Sequence, residues 1–329
     1  MNSQPSPSFE SASGQHRAFE PPAIRRILVV VDPIADAQPA IEKAVKIAVT
    51  LGSALELYVC DAEPPPAENG TVQTHGADFR EMRRRRFMDA LEGYAGSLRR
   101  RGLRVSTQCE WHAPLEQGIG HHVLRTRPDL VVKDTHRHSA QAPGDRALTD
   151  WTLIAQLPAP LLLVRPEPWP GHPVIAVGVD PCHIADRPES LDQTLVSLGC
   201  LFANGLGGHL EAWHVLESPP HLPGEPAAPL EVARATGAAR DTVDRVVAIA
   251  SNMPTSIPTY FLDGAVATAL AARAEECKPD VLMLGAAARP RWSHSAASGT
   301  AAQILEQIQC DLLVVKPEGF VSPLLVHDA

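Results

Sequence analysis

Short, continuous apolar runs alternate along this chain with longer stretches whose apolar residues recur every three or four positions. The first run, RRILVVVD, is unbroken from Ile27 to Val31, the pattern of a strand covered on both faces in a parallel sheet. PAIEKAVKIAVTLGS follows, with Ile41, Ala44, Val45, Ala48 and Val49 at helical spacing and Gly52 where a C-cap glycine belongs. ALELYVC reads as a strand, EPPPAENG as a Pro-rich connection, and the region from about Phe79 to Arg101 as a long helix. LRVSTQCEW, PLEQGIGHHVLRTR, DLVVK, TDWTLIAQL and PLLLVRP continue as strand, helix, strand, helix and strand. An order β-α-β-α-β-α-β-α-β selects a parallel sheet with helices on both faces, because right-handed crossovers place them there.

The same order then repeats. VIAVGVD, ESLDQTLVSLGCLFANG, GHLEAWHV, a helix from about Leu230 to Asn252, IPTYFLD, VATALAARAEECK, DVLMLG, TAAQILEQI and DLLVVKP fill the same places. Asp129 to Pro166 aligns without a gap on Asp280 to Pro317 at an offset of 151, and the runs ending in Asp32-Pro33 and Asp180-Pro181 lie 148 apart. That period is too long for a solenoid and marks a duplicated domain. The expected division is a flexible tail over 1–23, a first domain over 24–168 and a second over 169–329, with the break in EPWPGHP.

Composition narrows the class. At 329 residues and 44% hydrophobic, the chain has material for two cores. The Ser- and Pro-rich start lacks the basic-then-apolar pattern of a secretory signal, and no run approaches the roughly 18 apolar residues of a membrane span. Six cysteines without CxxC spacing fit a reduced, cytoplasmic setting; Cys60, Cys109 and Cys310 flank strands as small apolar residues. A net charge of −9 argues against generic nucleic-acid binding, and the basic run Arg83–Arg86 reads as a solvated helix face.

VKDTHRH, LTDW and CDLLVVKPEGFVSP, with an Asp ending the first strand of each copy and Gly-Thr opening the last helix, resemble the universal stress protein family in its tandem form. The resemblance covers nearly everything after residue 23. It implies α/β architecture: two tandem Rossmann-like domains of the adenine nucleotide alpha hydrolase-like type, each a five-stranded parallel sheet with helices on both faces. In the family's nucleotide-binding branch it further implies an adenine contact from that Asp, and phosphates on a loop of pattern G-x-x-G, nine residues, then G-S or G-T. Roles in starvation, oxidative stress or DNA damage are implied by the resemblance alone.

The second copy keeps part of that loop. Gly285 follows the fourth strand and Gly299-Thr300 opens the last helix, where glycines and a helix N-terminus suit a phosphate. Ala288 replaces the second glycine, and ten residues separate it from Gly299. If ATP or ADP binds, Asp180 contacts the base, Gly285, Gly299 and Thr300 the phosphates, and Arg289 or Arg291 supplies charge. The plainer reading is a strand-to-loop turn and a helix cap.

The first copy has lost the loop: Asp134, Arg137 and Leu148 stand for Gly285, Ala288 and Gly299, and an aspartate repels phosphate. His136 and His138, with His112 expected beside the same crevice and the Asp134 carboxylate, match the donors of a tetrahedral zinc site. Alternatively, these histidines hydrogen-bond in a cleft without a metal. His121 and His122 are expected at the surface, and Trp151 and Trp213 in the core or a cleft. Ser293, His294 and Asp263 lack the G-x-S-x-G elbow of a hydrolase triad.

Three functions follow from these residues. One is a regulatory nucleotide binder, at most a slow ATPase. Another is a binder of zinc or of a non-nucleotide amphipathic metabolite. The last is a protein-interaction scaffold, a pseudo-dimer within one chain packed through its last strands and open to further homodimerisation. The expected partner is a small-molecule ligand or a regulatory protein, without nucleic acid or membrane.

Overall fold

The computed structural model describes residues 22–32, 34–35, 37–62, 72–135, 145–182, 189–216, 229–251, 256–286 and 300–325. The first half runs β1 (Arg26–Val30), α1 (Pro39–Leu51), β2 (Ala54–Asp61), α2 (Val72–Arg100), β3 (Val105–Trp111), α3 (Leu115–Thr126), β4 (Leu130–Asp134), α4 (Asp145–Gln156) and β5 (Leu161–Val164). The second runs β6 (Val174–Gly178), α5 (Glu189–Leu206), β7 (His209–Leu216), α6 (Pro229–Ala250), β8 (Thr259–Asp263), α7 (Val266–Cys277), β9 (Val281–Gly285), α8 (Thr300–Gln307) and β10 (Asp311–Val315). The long helix α2 begins earlier than the pattern suggests, at Val72 rather than near Phe79.

All these strands form one sheet in the order β3-β2-β1-β4-β5-β10-β9-β6-β7-β8. Pairing is parallel within each half, and β5 meets β10 antiparallel, with Leu162 opposite Leu313. The halves therefore meet through their last strands, which covers two edges that would otherwise be open to aggregation. Because that junction is antiparallel, the carboxyl ends of the two sets of parallel strands emerge at opposite rims of the sheet.

The repeated Asp129 and Asp280 do the same work in both halves. Asp129 accepts the backbone N–H groups of Arg25 and Arg26 at 2.9 and 2.8 Å, and Asp280 accepts that of Val174 at 2.8 Å, fixing the start of the first strand against the fourth. Alternation along the strands then builds two apolar layers. Ile27, Val29, Val132, Ile175, Val177 and Met283 pack under α1, α2, α5 and α6, while Leu28, Val131, Leu163, Leu282 and Leu312 pack under α3, α4, α7 and α8.

One buried polar knot joins the halves. Lys43 on α1 donates to both carboxylate oxygens of Asp311 at 2.9 and 2.8 Å and to the Arg165 carbonyl at 2.8 Å. Asp311 also accepts the Arg165 N–H and the Trp169 indole N–H, so the segment between the halves is tied to the start of β10. Lys43 and Asp311 are 3% and 2% exposed, deep enough that losing either partner would strand a charge. At the far end, a short 3-10 turn at Pro323–Leu325 carries Leu324 back onto α3 of the first half; a Cβ at Gly120 would lie 2.1 Å from the Leu324 Cδ1 atom.

Candidate ligand crevices

In an open parallel sheet, ligands bind beyond the carboxyl ends of the strands where strand order reverses. That point lies between β1 and β4 in the first half and between β6 and β9 in the second. Register sets the equivalences: Val30 pairs with Lys133, and Gly178 with Leu284.

The first crevice is lined by charged side chains, several of them bonded to one another. Lys133 donates to the Asp150 Oδ1 atom at 2.8 Å and to the Asp134 carbonyl at 2.9 Å, and the Thr135 hydroxyl donates to the Asp150 Oδ2 atom at 2.6 Å. Asp134 turns to the other face, where its Oδ1 atom accepts the N–H of Ala40 in the first turn of α1 at 2.7 Å. A carboxylate thus takes one of the orphan backbone donors at the start of α1. Burial pushes the Asp134 carboxyl up to about 6, against the pull of the Ala40 N–H and with Asp32 adding to the rise.

In the second crevice the corresponding positions are Leu284, Gly285, Ala286 and Ala301, with no ionisable group among them. Asp180 and Gly285 stand on adjacent strand ends, both half-buried. The N–H of Asp180 donates to Asp192 Oδ1 at 3.0 Å, and Asp192 is 1% exposed, so the turn carrying Asp180 is held from beneath. Thr300 opens α8. Of the predicted site, Asp180, Gly285 and Thr300 are thus placed around one strand-end crevice, whereas Ala288, Arg289, Arg291 and Gly299 lie outside the described residues. The end of β9 thus carries only small side chains beside the turn that bears Asp180.

The expected zinc donors do not converge among the described residues. His112 follows β3, and β2 and β1 separate it from β4, a Cα separation of about 14 Å at ordinary strand spacing. It donates from Nδ1 to the Pro114 carbonyl at 3.3 Å and packs edge-on to His121. Asp134 meanwhile faces α1. His136 and His138 lie outside the described residues, and no group of three or more His, Cys, Asp or Glu suited to a metal occurs among those described.

His122 corrects the surface assignment. It is 2% exposed, stacked on Tyr58 with ring centroids 4.0 Å apart. Arg125 donates to its Nδ1 at 2.7 Å; a guanidinium only donates, so the proton of the neutral ring is on Nε2, which bonds the Glu56 Oε1 atom at 2.9 Å. Arg125 also bonds Glu110, which receives the Tyr58 hydroxyl at 3.2 Å. Periodicity misses this because an i, i+3 pair on a polar-looking helix face gives no sign that two glutamates rise from the strands beneath. The GIG spelling does carry the signal, since a Cβ at Gly118 would meet His112 at 2.5 Å and the Cys60 sulfur at 2.6 Å, drawing α3 close to the sheet.

The basic run is likewise only partly solvated. Arg84 and Arg85 pair with Glu81 at the surface, but Arg83 turns inward, bonds Asp61 at 2.8 Å and lies over Phe79 and Phe87. Trp213 is fully buried, as expected of a core aromatic. Cys60 is buried, while Cys109 and Cys310 are intermediate; burial pushes each thiol up, to about 11, 11 and 12, away from thiolate chemistry.

Residues 23–165 match the family model for the Universal stress protein family. A second relationship spans both halves: the chain is 24% identical to Universal stress protein E of Escherichia coli K12, over 92% of this chain and 98% of that protein. The first half of the chain, residues 23–165, belongs to the universal stress protein family. A universal stress protein homologue of Haemophilus influenzae is 21% identical over 89% of the chain and 97% of its own length. In fold, the chain is similar to a functionally unknown protein of Pseudomonas aeruginosa PAO1, with a TM-score of 0.66 at 22% identity, covering 93% and 95% of the two chains. A universal stress protein of Archaeoglobus fulgidus gives 0.60 at 13% identity, covering 90% and 98%. The tandem Rossmann-like universal stress fold follows, and among the described residues no helix is long and apolar enough to cross a membrane.

Proposed function

We propose that this tandem universal stress protein acts in the stress response as a ligand-binding regulator, and that its second half is the nucleotide-binding half, taking ATP or ADP without appreciable turnover. The observation that carries this reading is the difference between the crevices: Lys133, Asp134, Thr135 and Asp150 in one, Leu284, Gly285, Ala286 and Ala301 in the other. An anionic ligand meets a buried carboxylate in the first and small, uncharged residues in the second. In this reading Asp180 serves the base, Gly285, Gly299 and Thr300 serve the phosphates, and Arg289 or Arg291 supplies charge.

The test is thermal unfolding of the full chain with millimolar ATP or ADP. A nucleotide that binds only the folded state at 100 times its Kd stabilises by about 2.7 kcal/mol, a shift of several degrees. Gly285→Asp, which gives the second crevice the carboxylate of the first, is expected to remove the shift. A wild-type chain whose unfolding ignores both nucleotides would sink the reading and leave the protein-scaffold alternative.

A further inference from the structure

We propose that the first crevice is a binding site for a primary ammonium group, held by the Asp134 carboxylate and the side-chain carbonyl of Gln38 at the first turn of α1. The inference concerns the other half of the molecule and stands independently of nucleotide binding in the second. Asp134 uses Oδ1 on the Ala40 N–H, and its buried Oδ2 makes no hydrogen bond. Gln38 donates both its amide hydrogens, to the carbonyls of Asp32 and Ala35 at 2.8 and 2.9 Å, which fixes the orientation of the amide and leaves its buried Oε1 without a donor. The two side chains are 6% and 7% exposed. They flank the same turn, Gln38 preceding Pro39 and Asp134 sitting on Ala40.

Two buried acceptors without donors call for a donor. The neighbouring lysines are committed elsewhere, Lys133 to Asp150 and Lys43 to Asp311. Asp32, at the end of the adjacent strand, adds a further negative charge. An alkylammonium brings one positive charge and three N–H donors, which satisfies both oxygens and neutralises the carboxylate. Phosphate is refused by charge, a quaternary ammonium has no N–H to give, and a hard divalent cation wants six or more oxygens.

Titration of the full chain with ethylammonium chloride, followed by calorimetry, tests the assignment against tetramethylammonium, magnesium and inorganic phosphate. The expected result is saturable binding of ethylammonium alone, weakened about tenfold or more by Asp134→Asn and also weakened by Gln38→Leu. Absence of saturable binding overturns the proposal. So does equal binding of tetramethylammonium, which would mean bulk charge attraction, or magnesium binding in place of the amine, which would reassign the oxygens to a metal. Should Asp134→Asn fail to fold by circular dichroism, the wild-type comparison of the two ammonium ions and the Gln38→Leu titration decide the matter.

Discussion

At the end of its fourth strand the first half carries Asp134, and at the end of its fourth strand the second carries Gly285; on the third helix of each half stand His122 and Arg273. The first pair has diverged in kind, from a buried carboxylate to no side chain at all. The second pair has kept its chemistry through different residues. His122 stacks on Tyr58 and bonds Glu56; Arg273 lies 5.9 Å from the Trp213 ring and 4.2 Å from that of Tyr260, and reaches Glu211 at 3.8 Å. Register confirms that these niches correspond, since Glu56 pairs with Leu28 and Glu211 with Ala176. A nitrogen-bearing side chain on an aromatic face beside a strand glutamate is thus shared by the two halves, whereas the strand-end residue is where they differ in kind.

A third asymmetry has no counterpart at all, and breaking it is expected to have the largest effect. The position equivalent to Asp311 in the first half is Pro160, so the Lys43–Asp311 pair exists once. Asp311→Ala leaves the Lys43 ammonium buried and unpaired, with an expected loss of about 3–5 kcal/mol in urea unfolding. Replacing both residues with leucine should recover much of that loss. If the single and double variants are equally unstable, packing rather than the ion pair holds the halves.

His122→Leu comes next, since Glu56 and Glu110 lose a buried partner; a loss of about 2–4 kcal/mol is expected in the same assay. His122→Arg sharpens the comparison. The residue of the second half is expected to restore part of the stability, and an arginine as harmful as leucine would show the two niches to be unlike.

The smallest effect is a pH dependence belonging to the first half. The folded-state value of Asp134, about 6, lies above its ordinary value of 3.8, so its contribution is fully present below about pH 4 and is lost as pH rises through 6. Asp134→Asn removes that titration. Relative to the variant, the wild-type chain is expected to lose about 2 kcal/mol between about pH 4 and pH 7, measured by unfolding across that range. Parallel curves for the two proteins would mean that Asp134 is ionised at no cost.

Much of the candidate site was readable along the chain. The equivalences of Asp134 with Gly285 and of Thr149 with Thr300 follow from the gapless offset of 151, and that of Asp32 with Asp180 from the repeated Asp-Pro 148 residues apart. Sequence order places β3 next to β4 in the chain, while strand order puts two strands between His112 and Asp134, and His136 and His138 lie outside the described residues. The surface reading of His122 failed because burial depends on what lies beneath a helix, and Glu56 and Glu110 come from strands 66 and 12 positions away in sequence.

The sequence by itself determined the duplication, the alternation of strand and helix, and the half whose fourth strand ends in glycine and not aspartate, because these depend on local periodicity and residue type. Only the tertiary structure decided that β5 and β10 meet antiparallel and send the crevices to opposite rims, that Lys43 finds Asp311, that Leu324 returns to Gly120, and that Gln38 and Asp134 are each left with one buried oxygen lacking a donor. Each of these joins residues distant in the chain, and such contacts are set by packing and by buried polar groups finding partners, which no local pattern records.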